Sequence, residues 1–162
     1  MKKKFYKVIM LAMLYALLAT ACNNPYDKIT EEEEKTILFF FTATLYQKTI
    51  LTAVDNKGNI YITEAAETVE SMIENGDFYD VNIEQQISAA EVISNYKKLC
   101  KIDEELYFYG KDEPHTELEP MIYYYGVRYI NGEMEILNIG GCENYTENQY
   151  AEEIVSWMEE WG

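Results

Sequence analysis

The sequence predicts an α+β domain: an antiparallel β-sheet built from hairpins, with about three helices packed on one face and the C-terminal helix docked on the sheet. Three observations carry this. Asn131-Gly132 supplies positive φ at both centres of a tight turn between two alternating apolar runs. Asp55-Asn56-Lys57-Gly58 separates a second pair of β-rich runs, with Gly58 suited to the left-handed position of a bulged turn. Three further segments repeat their apolar residues with the helical period instead.

In chain order, Ile37 to Tyr46 holds Phe39, Phe40 and Phe41 among threonines and reads as a strand, with a helix begun by the preceding glutamates as the alternative. Ile50–Val54 and Asn59–Thr63 form the arms of the Gly58 hairpin. Ala66, Val69, Met72 and Ile73 mark a short helix stopped near Asn75-Gly76. Asn82 with Gln85 resembles a capping pair, and Ile83, Ile87, Ala90, Ile93, Tyr96 and Cys100 continue along one helical face. Leu106 to Tyr109 is a short strand candidate. In the Asn131-Gly132 hairpin, pairing Ile130 with Glu133 sets Tyr129 opposite Met134, Arg128 opposite Glu135 and Val127 opposite Ile136. One face then carries Tyr123, Tyr125, Val127, Tyr129, Met134 and Ile136; the wet face carries Arg128, Glu133 and Glu135. Thr146-Glu147-Asn148-Gln149 fits a capping box, and Ala151, Ile154, Val155, Met158 and Trp161 follow on one stripe. Hairpin and helix succeed each other at 50–75 and again at 121–161, but the residues do not match as a repeat.

The first residues are of another kind. Lys2, Lys3, Lys4 and Lys7 precede fourteen apolar or small residues from Val8 to Ala21, then Cys22. A basic start, a short apolar stretch and small residues before a cut site make an export signal. Fourteen residues fall short of the roughly 20 that a membrane-spanning helix needs. Ala19-Thr20-Ala21-Cys22 resembles the lipobox of bacterial lipoproteins, with Ala19 where that family most often has leucine. The resemblance covers residues 1–22 alone. It implies that the Cys22 thiol is acylated with diacylglycerol and that cleavage makes Cys22 the new N-terminus, held on a membrane by two or three acyl chains and facing outside the cytoplasm. Asn23 is not the aspartate that signals inner-membrane retention in enterobacterial lipoproteins. Three segments result: a signal peptide at 1–21, the acylated cysteine with a polar tether at 22–35, and a single domain at 36–162, of a length one core can serve.

Loss of the signal removes four of thirteen basic residues and none of the 29 acidic ones, leaving nine against 29, a net charge of −20. That field repels nucleic acid and favours basic partners. With Cys22 acylated, Cys100 and Cys142 remain as a pair in an oxidising compartment, where one bridge or two separate buried thiols are the alternatives.

Signatures of chemistry are few. The sequence holds no Gly-rich phosphate loop, His-Glu-x-x-His helix, Gly-x-Ser-x-Gly elbow or Cys-x-x-Cys, and no catalytic residue, metal site or cofactor is expected. Asp55 to Ile60 fails as a calcium loop, having lysine at its third position and Ile60 where glycine is needed. The sole histidine, His115, sits in an acidic loop with Pro114, a place for contacts rather than a ligand set. Fifteen tyrosines stand out. Tyr124 is expected to point outward and, with Tyr107, Tyr109 and His115, to make a binding surface of apolar rings with polar tips. Taken together, these features describe a lipid-anchored domain of the bacterial cell envelope that binds a protein or a cell-wall glycan without catalysis. An inhibitor or immunity-type protein against a basic enzyme or toxin is a second reading, and a carboxylate acid/base hydrolase acting on glycan a third.

Overall fold

The computed structural model describes residues 29–31, 34–65, 67–102, 106–110, 119–142 and 144–161. The strands are β1 Ile37–Leu45, β2 Lys48–Asp55, β3 Asn59–Glu64, β4 Ile83–Gln86, β5 Tyr109–Gly110, β6 Met121–Ile130, β7 Glu133–Gly141 and β8 Asn144–Tyr145. The helices are α1 Val69–Asn75, α2 Ala89–Leu99 and α3 Gln149–Glu159, with a 3-10 turn at Asp77–Asp80. Six strands form one sheet in the order β4-β3-β2-β1-β6-β7, every neighbouring pair antiparallel; β5 and β8 make a separate two-stranded ribbon.

The domain is α+β, with the C-terminal helix docked on the sheet. Strand β1 takes the centre because its Ile-Leu-Phe-Phe start is apolar on both sides. A register shift between Ile37 and Phe39 sends Leu38 and Phe39 into the core under α2 and α3, while Ile37 and Phe40 enter a second core on the opposite face. In the first, Trp157 meets Phe39 edge-on at 5.3 Å and Trp161 meets Trp157 at 4.6 Å. Such pairs add roughly 0.5–1.5 kcal/mol each beyond area burial. In the second, Met72 of α1 and Phe78 of the 3-10 turn cover Leu51, Ala53, Tyr61 and Val127, and Phe40 stacks on Tyr125 at 4.7 Å. The two longer helices therefore share one face and the short α1 lies against the other, so the helices expected together on one face are divided between two.

Both hairpins form, and the Asn131-Gly132 hairpin pairs in the expected register. Asn131 (φ 53°) and Gly132 (φ 83°) form the first turn, and Arg128 lies opposite Glu135. In the second, Val54 faces Ile60 across the Gly58 turn. The short helix is capped by Thr68 and closed by Gly76, where the apolar period ends.

Three further expectations change, and the cysteine pair takes one of its two alternatives. Ile83–Gln86 is a strand rather than the start of a helix, and α2 begins after Ser88. Helix α3 is capped by Asn148, whose side chain accepts from the amides of Tyr150 and Ala151, while Thr146 Oγ1 accepts from the Asn148 amide. The face of β6 expected to be wet is covered by helices: Tyr124 is 8% exposed and Arg128 6%. Arg128 remains paired as expected, its Nε donating to Glu135 Oε2 at 2.8 Å, while Nη1 donates to the Ile102 carbonyl at 2.6 Å. Finally, Cys100 and Cys142 are both free thiols. Cys100 lies beside Tyr96 and Arg128, whereas the Cys142 amide donates to the carbonyl of Ile122 at 2.9 Å. Along β6, Ile122 and Arg128 are about 20 Å apart at strand rise, against the 7 Å limit between Cα atoms of a disulfide.

The β2–β3 turn is a buried polar knot. Asp55, 0% exposed, accepts through Oδ1 from the amides of Lys57 (2.8 Å) and Asn59 (2.9 Å). Its Oδ2 accepts from Asn59 Nδ2 and the Tyr61 hydroxyl, both at 2.9 Å. Asn56, also 0% exposed, accepts from the Thr36 amide at 3.0 Å and donates to the Thr30 carbonyl at 2.9 Å. Ile29 packs on the first core and Tyr79 donates to the Lys35 carbonyl at 2.8 Å. Ile29, Thr30 and Lys35 are thus bound to the domain, ahead of the boundary expected at residue 36.

Burial pushes the Tyr79 and Tyr129 phenols up to about 12, and raises those of Tyr61 and Tyr96 as well. A raised phenol holds its proton more tightly in the folded chain than in the unfolded one. Its stabilisation is therefore complete below the unfolded value near 10 and is lost as pH rises through the folded value. Stability is expected to fall from about pH 10 and to collapse near 12. Phenolate absorbance at 295 nm should then rise together with the loss of circular dichroism. Ionisation of Tyr79 and Tyr129 at pH 10 with the fold intact, read as the loss of phenolate absorbance in Tyr79→Phe and Tyr129→Phe, would refute this.

Candidate functional site

At the end of the sheet away from the β2–β3 turn, β6 and β7 run on past the cores. Tyr124 pairs with Gly140 but Tyr125 with Asn138, so Ile139 is the extra residue of a bulge. Asn138 Oδ1 accepts from the Gly140 amide at 3.0 Å and closes it. Two glycines follow because α3 and β6 press close: a Cβ on Gly140 would sit 3.1 Å from Val155 Cγ2, and one on Gly141 2.8 Å from Tyr123 Cδ1.

Between this strand end and α3 lies a cleft of about 310 Å³, within the usual ligand-site range. Ile122, Ile139 and Val155 give it an apolar lining, Tyr124, Cys142 and Tyr145 add polar atoms, and Glu152 and Glu159 contribute carboxylates from α3. Burial raises the Tyr124 phenol, and the nearby Glu159 and Cys142 add to the rise. The Tyr124 hydroxyl therefore stays protonated as a donor at neutral pH.

Beside the cleft is an aromatic ledge. Tyr145 of β8 packs on Tyr109 of β5 with ring centroids 5.5 Å apart, and both rings are nearly half exposed. Tyr107 and Phe108 extend it toward solvent, while Leu106 ties the segment to the core. A larger hollow of about 440 Å³ lies on the opposite face, among Phe40, Tyr125, Thr42 and Glu64. Its aromatic rings are already stacked on each other, and Glu64 is paired with Lys48 at 3.6 Å.

Of the residues singled out from sequence, Tyr109 and Tyr124 are brought to this region, joined through Tyr145, and Tyr107 stands at its margin. Tyr124 belongs to the cleft's wall rather than to the outer surface, because α3 covers it. His115 and Cys22 lie outside the described residues. Sequence reasoning missed Tyr145, Glu152 and Glu159. The seven-residue spacing of the two glutamates, two turns on one helix face, was the available signal. Among the described residues, no cluster of three or more His, Cys, Asp or Glu is placed to hold a metal ion, and no helix is long and apolar enough to cross a membrane.

Compared with models of protein families, with curated proteins and with solved structures, the chain matches none.

Proposed function

We propose that this chain is a lipid-anchored extracytoplasmic domain that binds without catalysis, and that the cleft beneath α3 takes the cationic side chain of a basic protein. The observation that carries the reading is the cleft's uncompensated charge. Among the described residues, Glu152 and Glu159 line it, no lysine, arginine or histidine does, and neither carboxylate belongs to an ion pair. A net charge of −20 after loss of the signal would steer a basic partner toward it. An inhibitor or immunity-type protein covering a basic enzyme is one form of this reading. Glu152 and Glu159 stand two turns apart on one face of α3, which suits two contacts on an extended partner. The Tyr109–Tyr145 ledge favours a second reading, in which a glycan stacks on its rings.

Titration of the mature lipoprotein in micelles by NMR separates the readings, using a lysine-rich peptide and a soluble peptidoglycan fragment as probes. The peptide is expected to shift Tyr145, Glu152 and Glu159, with affinity falling about tenfold for Glu152→Gln or Glu159→Gln at low salt, a loss of about 1.4 kcal/mol. Added salt should weaken it further. Shifts confined to Tyr107, Tyr109 and Tyr145 on adding the fragment, unaffected by either glutamine, would transfer the proposal to the glycan. Release of cleaved sugar would overturn binding without catalysis.

A further inference from the structure

We infer that the domain stands on its membrane with the β2–β3 turn and the Asn131-Gly132 hairpin toward the lipid, and with the cleft and aromatic ledge at the opposite end, facing away. This rests on the lipobox reading of Cys22, and it goes further in assigning the two ends of the sheet to two surroundings.

The register of the sheet defines those ends. Ile37, Asp55, Asn59, Gln86, Ile130 and Glu133 lie at one; Leu45, Lys48, Glu64, Met121 and Gly141 lie at the other. The incoming chain is fixed to the first end. Asn56 holds Thr30 and Thr36 through three hydrogen bonds, its own amide donating to the Thr36 carbonyl at 2.9 Å, and Lys57 Nζ donates to the Glu31 carbonyl. From Cys22 to Ile29 there are seven Cα steps, which span at most about 25 Å whatever their path. The eight steps from Ile37 to Leu45 along β1 rise about 27 Å between the ends. An inverted domain, cleft against the bilayer, would have to hold its attachment point farther out than the chain reaches.

The far end also carries the β1–β2 turn, where Tyr46 (φ 48°) and Gln47 (φ 68°) both occupy the left-handed region. Asn-Gly fills such a turn with little strain; here the conformation is borne by side chains, and Tyr46 is 71% exposed. The aromatic surface is thus gathered where a macromolecule arriving through the aqueous phase meets it, and lipid headgroups do not.

Spin labels on single cysteines test the orientation in the acylated protein, with Cys100 and Cys142 replaced by alanine, on vesicles of phosphatidylcholine doped with a nickel-chelating lipid. Labels at Glu133→Cys, near the first end, should relax several-fold faster than labels at Lys48→Cys, near the second. Gln85→Cys and Glu64→Cys form an independent pair should either of the first two fail to fold. Equal or reversed rates in protein whose mass shows a diacylglyceryl Cys22 overturn the orientation and leave the anchor standing. A mature N-terminus without acyl chains overturns both.

Discussion

Replacing Asp55 with alanine is expected to lower the unfolding free energy by about 4 kcal/mol, near the top of the range for single substitutions. The carboxylate is fully buried and accepts four hydrogen bonds, from the amides of Lys57 and Asn59, the Asn59 side chain and the Tyr61 hydroxyl. Alanine leaves these donors without a partner in a place water does not reach, and each unmatched donor costs about 1–3 kcal/mol, less when several relax together. Thermal unfolding should shift down by about 10–15 °C for a domain of this size. Asp55→Asn should lose less. Its Oδ1 still serves the two amides, and the Tyr61 hydroxyl can turn to accept from Nδ2, so only the Asn59 side chain faces a donor. A loss of about 1–2 kcal/mol is expected. Equal midpoints for Asp55→Ala and the parent in denaturant titration would show that the knot contributes nothing.

Gly58→Ala should cost about 3 kcal/mol or more, from two independent causes. At φ +84° the backbone is left-handed, a region in which a side chain is strained. A Cβ there would also lie 2.1 Å from the Ile87 carbonyl oxygen, part of the backbone just before α2. Neither neighbour is a flexible side-chain tip, so β3 and the start of α2 must separate, and the Ile87 amide, which donates to the Gly58 carbonyl at 2.8 Å, loses its acceptor geometry. Hydrogen exchange reads this locally: protection at Ile87 and along β4 should collapse in Gly58→Ala while that of β6 and β7 persists at reduced stability. Because Asp55 and Gly58 close one turn, the double variant should lose less than the sum of the two. A strictly additive pair would show that the turn is not a unit.

What could be read from sequence follows the range of the forces involved. The Asn131-Gly132 dipeptide fixes both turn type and parity, so every pair from Ile130–Glu133 to Val127–Ile136 is local information. Gly58 and Gly76 are legible for the same reason, since each answers a backbone requirement within a few residues. Ile83 and Ile87 mislead because a four-residue spacing imitates a helix. The contact that decides otherwise, from Ile87 to Gly58, spans a distance no local pattern records. The second face of β6 misleads in the opposite sense. Arg128 looks like a surface charge until α2 brings the Ile102 carbonyl over it, and Tyr124 looks outward until α3 covers it. The candidate site was half legible. Tyr109 stood out by composition, but Glu152, Glu159 and Tyr145 acquire meaning only when the C-terminal helix returns to the end of β7, which is tertiary information.

The position of β1 has a consequence for biogenesis. It is among the first structured segments to be synthesised, yet it is the middle strand, and while β2 follows immediately, Phe39 must wait for Gly126. Until the second half of the chain emerges, Ile-Leu-Phe-Phe-Phe presents an unpaired edge of high β-propensity and no charge, the kind of segment that nucleates aggregation. Folding therefore waits on a long-range pairing, a topology expected to slow it. The yield of folded protein is expected to depend on how quickly β6 is delivered to an edge that cannot protect itself.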